Sequence, residues 1–176
     1  MVKVIGVDPG LAGTGVGIVR GEGLRVDGYA FGAVETKSGL PLAGRLETIH
    51  GKLLKLVEDE RPDLMVVEDV FSLPQNPKSG ILLGKVAGVV LLAASQAGVT
   101  VCEVPVREVK KVLSGNGAAS KEQLERRVRH ILGHGEPIRP FHASDAMGLA
   151  LTGLYRYNGL FVGAGGCSGI RGNAGL

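Results

Sequence analysis

Val2, Val4, Ile5 and Val7 open the chain as a β-branched run, which predicts a buried strand, and the run stops at Asp8. Pro9 and Gly10 form a turn signal, Gly13 and Gly15 loosen the backbone, and Val16 to Val19 resumes as a second strand pairing back on the first. A third strand follows from Leu24 to Glu35 (LRVDGYAFGAVE), with Gly28 and Gly32 suggesting a bulge or a strong twist. The period then changes from two to three and four. Leu42, Leu46, Ile49, Leu53, Leu56 and Val57 form the apolar stripe of a helix whose other positions carry Arg45, Glu47, Lys52, Lys55 and Glu58, and Arg61 and Pro62 stop it. Leu64 to Val67 (LMVV) is a short buried strand that again ends in acid, at Glu68 and Asp69.

Beyond the loop SLPQNPKSG, a nearly uncharged helix is expected from about Ile81 to Ala97. Gly84 and Gly88, four apart on one face, allow another helix to approach closely, so this helix reads as core, as a subunit interface, or as both. Val99 to Val104 (VTVCEV) predicts a fifth strand, and Pro105 fits the first turn of a short helix to about Leu113. After the flexible connection SGNGAAS, Ser120 and Gln123 form a capping box. It opens a helix through about Leu132 whose exposed face carries Lys121, Arg126, Arg127, Arg129 and His130. A last helix runs from Phe141 to about Tyr157. The pattern predicts an α/β domain over residues 1–158, a five-stranded mixed sheet flanked by helices, and a glycine-rich, disordered tail over 159–176.

A length of 176 residues suits one domain with its own core and argues against a two-lobed kinase, for which roughly 300 residues or more are expected. The net charge of +3 and pI of about 9.0 permit a nucleic-acid partner without requiring one. Cys102 in a strand and Cys167 in the tail suggest neither a metal site nor a disulfide framework. The N-terminus is not a secretory signal, and the longest uncharged apolar run, Val86 to Ala94, is too short to span a bilayer. The expectation is a soluble, cytoplasmic protein with no membrane partner.

Candidate chemistry sits in three acids from distant parts of the chain, Asp8, Glu68 and Asp145, each where an element begins or ends. If the first and fourth strands are adjacent and parallel, Asp8 and Glu68 lie on one sheet edge, roughly 5 Å apart, and could share an ion. Oxygen ligands suit Mg²⁺ or Mn²⁺ over zinc. Such a cluster repels itself unless cations compensate it, and two divalent ions would serve phosphodiester hydrolysis without a protein nucleophile. His142 and Asp145, three apart, share one helix face. Asp69 points to the opposite side of its strand, and Glu103 is a weaker metal candidate. Taken alone, the opening motif leaves three readings: a metal carboxylate, a phosphate-cradling turn as in actin-like ATPases and sugar kinases, or an aspartate that merely closes a turn.

IGVDPGLAGTGVGIV, VVEDVFSLPQNPKSG, VREVKKVLSGNGAASKEQL and FHASDAMGLALT, in this order and at these separations, resemble the RuvC-type Holliday junction resolvases of the ribonuclease H-like superfamily. The resemblance covers about residues 1–158. It implies a ribonuclease H-like fold and a metal-dependent endonuclease that resolves four-way DNA junctions by paired symmetric nicks in recombination and repair. It implies Asp8, Glu68 and Asp145 as catalytic metal ligands for two Mg²⁺, with Mn²⁺ able to substitute. His142 departs from the aspartate many members carry there, and would ligate metal or deprotonate the attacking water. Phe71 matches an aromatic that stacks on a base, and Lys110 and Lys121 match basic positions that contact the DNA backbone. A homodimer and branch-migration proteins are the implied partners. The weaker alternatives are another ribonuclease H-like nuclease, an actin-like ATPase or kinase, and a non-catalytic DNA-binding module.

Overall fold

The computed structural model describes residues 1–69 and 77–157. The expectations for Phe71 and for the tail lie outside these residues. Three antiparallel strands, β1 (Val2–Asp8), β2 (Gly13–Glu22) and β3 (Arg25–Glu35), are followed by α1 (Leu42–Glu60) and β4 (Leu64–Glu68). Then come α2 (Pro77–Gln96), β5 (Val101–Val104), α3 (Val106–Ser114), α4 (Lys121–Leu132) and α5 (Phe141–Arg156). The sheet order is β3-β2-β1-β4-β5, and β1 pairs parallel to β4, as the placement of Asp8 and Glu68 on one edge requires.

Strand parity sorts the side chains into two cores. Val4, Leu64, Val66, Cys102 and Val104 pack towards α3, α4 and α5. Ile5, Val7, Met65 and Val67 pack with Ile49, Leu53 and Val57 of α1 and Val86 and Val90 of α2. Asp8 and Glu68 fall in the parity of Val4 and Val66, so both face the α5 side. Glu103, paired in register with Val67, has the opposite parity and stands apart from them.

The opening glycines have a long-range reason. A Cβ on Gly6 would lie 2.1 Å from the Ala146 carbonyl oxygen, one on Gly15 2.0 Å from that of His142, and one on Gly17 2.7 Å from the Met147 backbone nitrogen. These glycines clear a track along β1 and β2 on which the backbone of α5 lies directly. Gly13 and Gly15, expected to loosen a turn, are instead strand residues, and β2 begins three residues earlier than its apolar run indicated. The bulge expected near Gly28 is present, as a register shift at Arg20/Gly21 that leaves Asp27 unpaired on β3.

The helix expected from Ile81 begins four residues earlier, at Pro77. Only one side of it is core. Val86, Ala87, Val90, Ala93 and Ala94 are buried, whereas Ile81 is 63% and Leu92 51% exposed, and neither Gly84 nor Gly88 has a neighbour where a Cβ would stand. Among the described residues this helix is, by length and composition, long and apolar enough to cross a membrane. Counting only the uncharged run missed this, because Lys85 interrupts that run without making the helix polar. Cys102, buried on β5, is disulfide-bonded, which the sequence did not suggest.

Candidate active site

Asp8 ends β1 at the turn into β2, and that turn is fixed. The Thr14 hydroxyl, fully buried, donates to the Gly10 carbonyl (2.9 Å), while the Thr36 hydroxyl donates to the Leu11 carbonyl and itself accepts from Arg45 Nε (2.8 Å). Parallel pairing carries Glu68 to the same edge, one residue past the Val7–Val67 pair. The third part is the first turn and a half of α5. Its approach loop is tied down by Glu125, a buried carboxylate of α4 that accepts the Ile138 backbone N–H (3.0 Å) and pairs with Arg129 (3.3 Å). Phe141 lies under the Arg139 guanidinium, 3.9 Å from ring centroid to Cζ. With α5 so held, His142 Nδ1 stands 2.8 Å from Asp8 Oδ2. Lys121 Nζ, on the first residue of α4, stands 3.2 Å from Asp145 Oδ2.

Asp8 and Asp145 are each 7% exposed. Burial, then the charge of Asp145, pushes the Asp8 carboxyl up to about 6, against a hydrogen bond from Glu68 that pulls it down. Burial and the neighbouring Asp8 push Glu68 further, to about 8. Glu68 therefore holds the proton of the pair and donates it to Asp8. Burial depresses the Lys121 ammonium, but the attraction of Asp145, Asp8 and Glu68 outweighs it and raises the group overall. Every carboxylate is thus compensated from within the protein: Asp8 by the Glu68 proton and the His142 ring, and Asp145 by Lys121.

These pairings explain why, among the described residues, no three ligating groups surround a common point. They also test the metal expectation. Three carboxylates at a buried edge, one of them, Glu68, holding a proton at neutrality, are a donor set that a hard divalent cation would satisfy better than a proton does. Asp8, Glu68, Asp145 and His142 fit that requirement by the chemistry of their side chains.

A pH-dependent stability follows. In metal-free protein Asp8 and Glu68 bind protons in the native state that the unfolded chain releases, because their folded values lie above the ordinary carboxylate range near about 4. The associated stabilisation is complete in acid and disappears as pH rises through about 6 and then about 8. In chelator, the unfolding midpoint should fall between about pH 5 and about pH 9 by at least ~5 °C, and Mn²⁺ should flatten that slope. A midpoint independent of pH in chelator would contradict the assigned environment.

Residues 4–153 match the family model described as crossover junction endodeoxyribonuclease RuvC. The chain belongs to the RuvC family. The RuvC of Syntrophomonas wolfei is 37% identical over 156 residues, covering 89% of this chain and 90% of that protein. That of Gluconacetobacter diazotrophicus is 39% identical over 166 residues, covering 94% and 98%. Among solved structures, T. thermophilus RuvC in complex with Holliday junction substrate matches with a TM-score of 0.83 at 35% identity, covering 89% of this chain and 95% of that one. A ribonuclease H-like fold follows from this likeness.

Against that RuvC frame, Asp8, Glu68, His142, Asp145 and Lys121 meet in one cluster. Lys110 is not part of it: it lies on α3, and the ammonium felt by the three carboxylates is that of Lys121. Glu125, Thr14 and Gly15 support the cluster and carry no local signal of doing so. Glu125 reads as one more charge on an amphipathic helix, and its burial against Ile138 depends on a loop that the period of α4 does not encode.

Proposed function

We propose that this chain is a metal-dependent endonuclease that resolves four-way DNA junctions by paired nicks, acting in the cytoplasm during recombination and repair. The observation that carries the reading is the meeting of Asp8, Glu68, His142 and Asp145 at one buried sheet edge in a RuvC-family chain. Mg²⁺, two ions per site, is the proposed cofactor, held by the three carboxylates; Mn²⁺ would substitute. When bound, divalent cations supply Lewis-acid activation of water and stabilisation of the leaving oxygen.

The residues have separable tasks. Asp8 holds the His142 ring through Nδ1, and the half-exposed ring then offers Nε2 as the nitrogen that can take a proton from the attacking water. Water adds to phosphorus, the bond to the leaving strand breaks, and that strand's oxygen acquires a proton. Lys121, poised at the cluster, offers a positive charge to the phosphate oxygens, and Lys110 contacts the backbone farther along the α3–α4 connection. Phe71 is proposed to stack on a junction base.

A homodimer supplies two sites for two symmetric nicks, and branch-migration proteins are proposed partners. The exposed stripe of Ile81, Gly84, Gly88 and Leu92 on α2 is the proposed contact between copies. Gly88→Glu has open space around it within one chain, so it should leave the fold intact and convert dimers to monomers in sedimentation. An unchanged mass would remove α2 from the interface.

The reading is tested with end-labelled four-way junction, matched duplex and RNA/DNA hybrid, each with Mg²⁺, with Mn²⁺ and with chelator. Nicking confined to the junction and abolished by chelator is expected. Preferential cleavage of the hybrid would replace the resolvase reading with another ribonuclease H-like activity.

A further inference from the structure

The chain's positive charge is not spread over its surface. Residues 106–132, which make up α3, the connection and α4, carry seven Lys and Arg (Arg107, Lys110, Lys111, Lys121, Arg126, Arg127 and Arg129) against three acids (Glu108, Glu122 and Glu125). That is a net +4 within a chain of net +3, so the other 149 residues sum to −1. All three acids are already engaged within the protein, Glu108 by Arg156, Glu122 by the Ser120 hydroxyl, and Glu125 by Arg129 and the Ile138 N–H. Of the seven cations, Lys121 and Arg129 are themselves ion-paired, with Asp145 and Glu125.

Between the two helices lies a groove of about 740 Å³. Its α4 wall presents Arg126, Arg127 and His130, and its floor and end are formed by Leu113, Ser114 and Asn116. The walls are braced. Arg127 Nε donates to the Leu113 carbonyl (2.8 Å), the Ser114 hydroxyl donates to the Lys110 carbonyl (2.7 Å), and Asn116 Oδ1 accepts from the Ala118 backbone N–H (2.9 Å). Ser120 and Gln123 close the capping box that starts α4. The basic side chains at the rim thus project from a prebuilt frame, and Arg126 is exposed with no acidic partner within ion-pair distance among the described residues.

We propose that this groove is a second contact for the sugar-phosphate backbone of the junction, taken by a strand other than the one being cut. The inference rests on the resolvase reading and extends it. Three features select the partner. The groove borders the connection that joins Lys110 to Lys121, taking Ser114, Gly115, Asn116 and Ala119 into its lining. Its cationic wall, with hydroxyl and amide groups beside it, matches phosphate oxygens. Its positive charge contrasts with a slightly acidic remainder, which discourages nucleic acid from settling elsewhere on the domain.

The test measures junction affinity against salt concentration for wild type, Arg126→Gln, Arg126→Glu and Lys52→Gln. Lys52 lies exposed on α1, away from the groove, and controls for net charge alone. Binding is read in chelator with Ca²⁺ absent, so cutting plays no part. Arg126→Gln should weaken binding roughly tenfold at moderate salt and reduce the slope of log affinity on log salt by about 1, with Arg126→Glu losing more and Lys52→Gln unchanged. If Arg126→Gln keeps the wild-type slope, or if Lys52→Gln loses as much, the groove is not a phosphate contact; an acidic protein segment would then be its better occupant. Failure of the wild type to prefer junction over duplex would instead overturn the resolvase reading, which separates the two claims.

Discussion

Asp8→Asn should bind a four-way junction at least as tightly as the wild-type protein and nick it about 10³-fold more slowly, a loss equivalent to about 4 kcal/mol of transition-state stabilisation. The substitution keeps the shape of the side chain and the polar contact with His142, and removes the charge that lies between Glu68 and Asp145. Two consequences separate this result from simple unfolding. The metal-free variant should be more stable than wild type near neutral pH, because a desolvated charge has gone, and it should no longer gain stability from Mn²⁺ as wild type does. Binding survives because phosphate contacts made by basic residues do not need the carboxylate. Wild-type nicking by Asp8→Asn would remove Asp8 from the reaction.

Gly15→Ala is expected to have the second-largest effect, through the backbone. Gly15 is paired with Asp8 across β1 and β2, and a Cβ there would stand 2.0 Å from the carbonyl oxygen and 2.3 Å from the carbonyl carbon of His142. Both are main-chain atoms at the start of α5, so no rotamer change relieves the contact, and the helix must move away by about 1 Å or more. We expect a loss of about 3 kcal/mol or more in denaturant unfolding and, in whatever fraction folds, nicking reduced by about 10²-fold through displacement of His142 and Asp145. Gly32→Ala on β3, with nothing within 4 Å of its Cβ position, is the matched control and should be close to neutral. Equal stability of the two variants would mean that α5 does not rest on the β2 backbone as described.

These two residues also mark where the sequence is legible and where it is not. Asp8 could be found from its own neighbourhood, since a β-branched run that stops at an acid needs no distant information to be read as the exposed end of a buried strand. Glu68 repeats the signal, and the parallel pairing of β1 with β4, on which the sequence reading is conditional, is present in the structure. Ser120 and Gln123 specify a helix start chemically, and their capping box is present with both bonds, Gln123 N to Ser120 Oγ at 3.2 Å and Ser120 N to Gln123 Oε1 at 2.8 Å. Gly15 is different. Glycine is a poor strand former, so locally it reads as a turn, and only the backbone of a helix more than 120 residues away explains it. The same holds for Gly6 and Gly17, and for Glu125, whose partner N–H belongs to Ile138.

Helix α2 left two readings open for a related reason. Its apolar composition is equally consistent with burial on all sides and with a half-buried helix awaiting a partner, and its glycines are as open as its Ile81 and Leu92. Composition does not distinguish a core from an interface. The cluster itself was legible as a set of residues, but its resting pairings were not. That Glu68 keeps a proton for Asp8, and that Lys121 reaches Asp145 from the start of α4, depend on burial and on a fold contact between two helices.

The most direct measurement is the mapping of nick positions on a synthetic four-way junction, each strand end-labelled in turn, with purified protein in Mg²⁺ and in chelator. The account predicts nicks at symmetric positions in two strands of like polarity, ends that ligase reseals, and no product in chelator. Nicks in a single strand, at unrelated positions in several strands, or undiminished in chelator would contradict it.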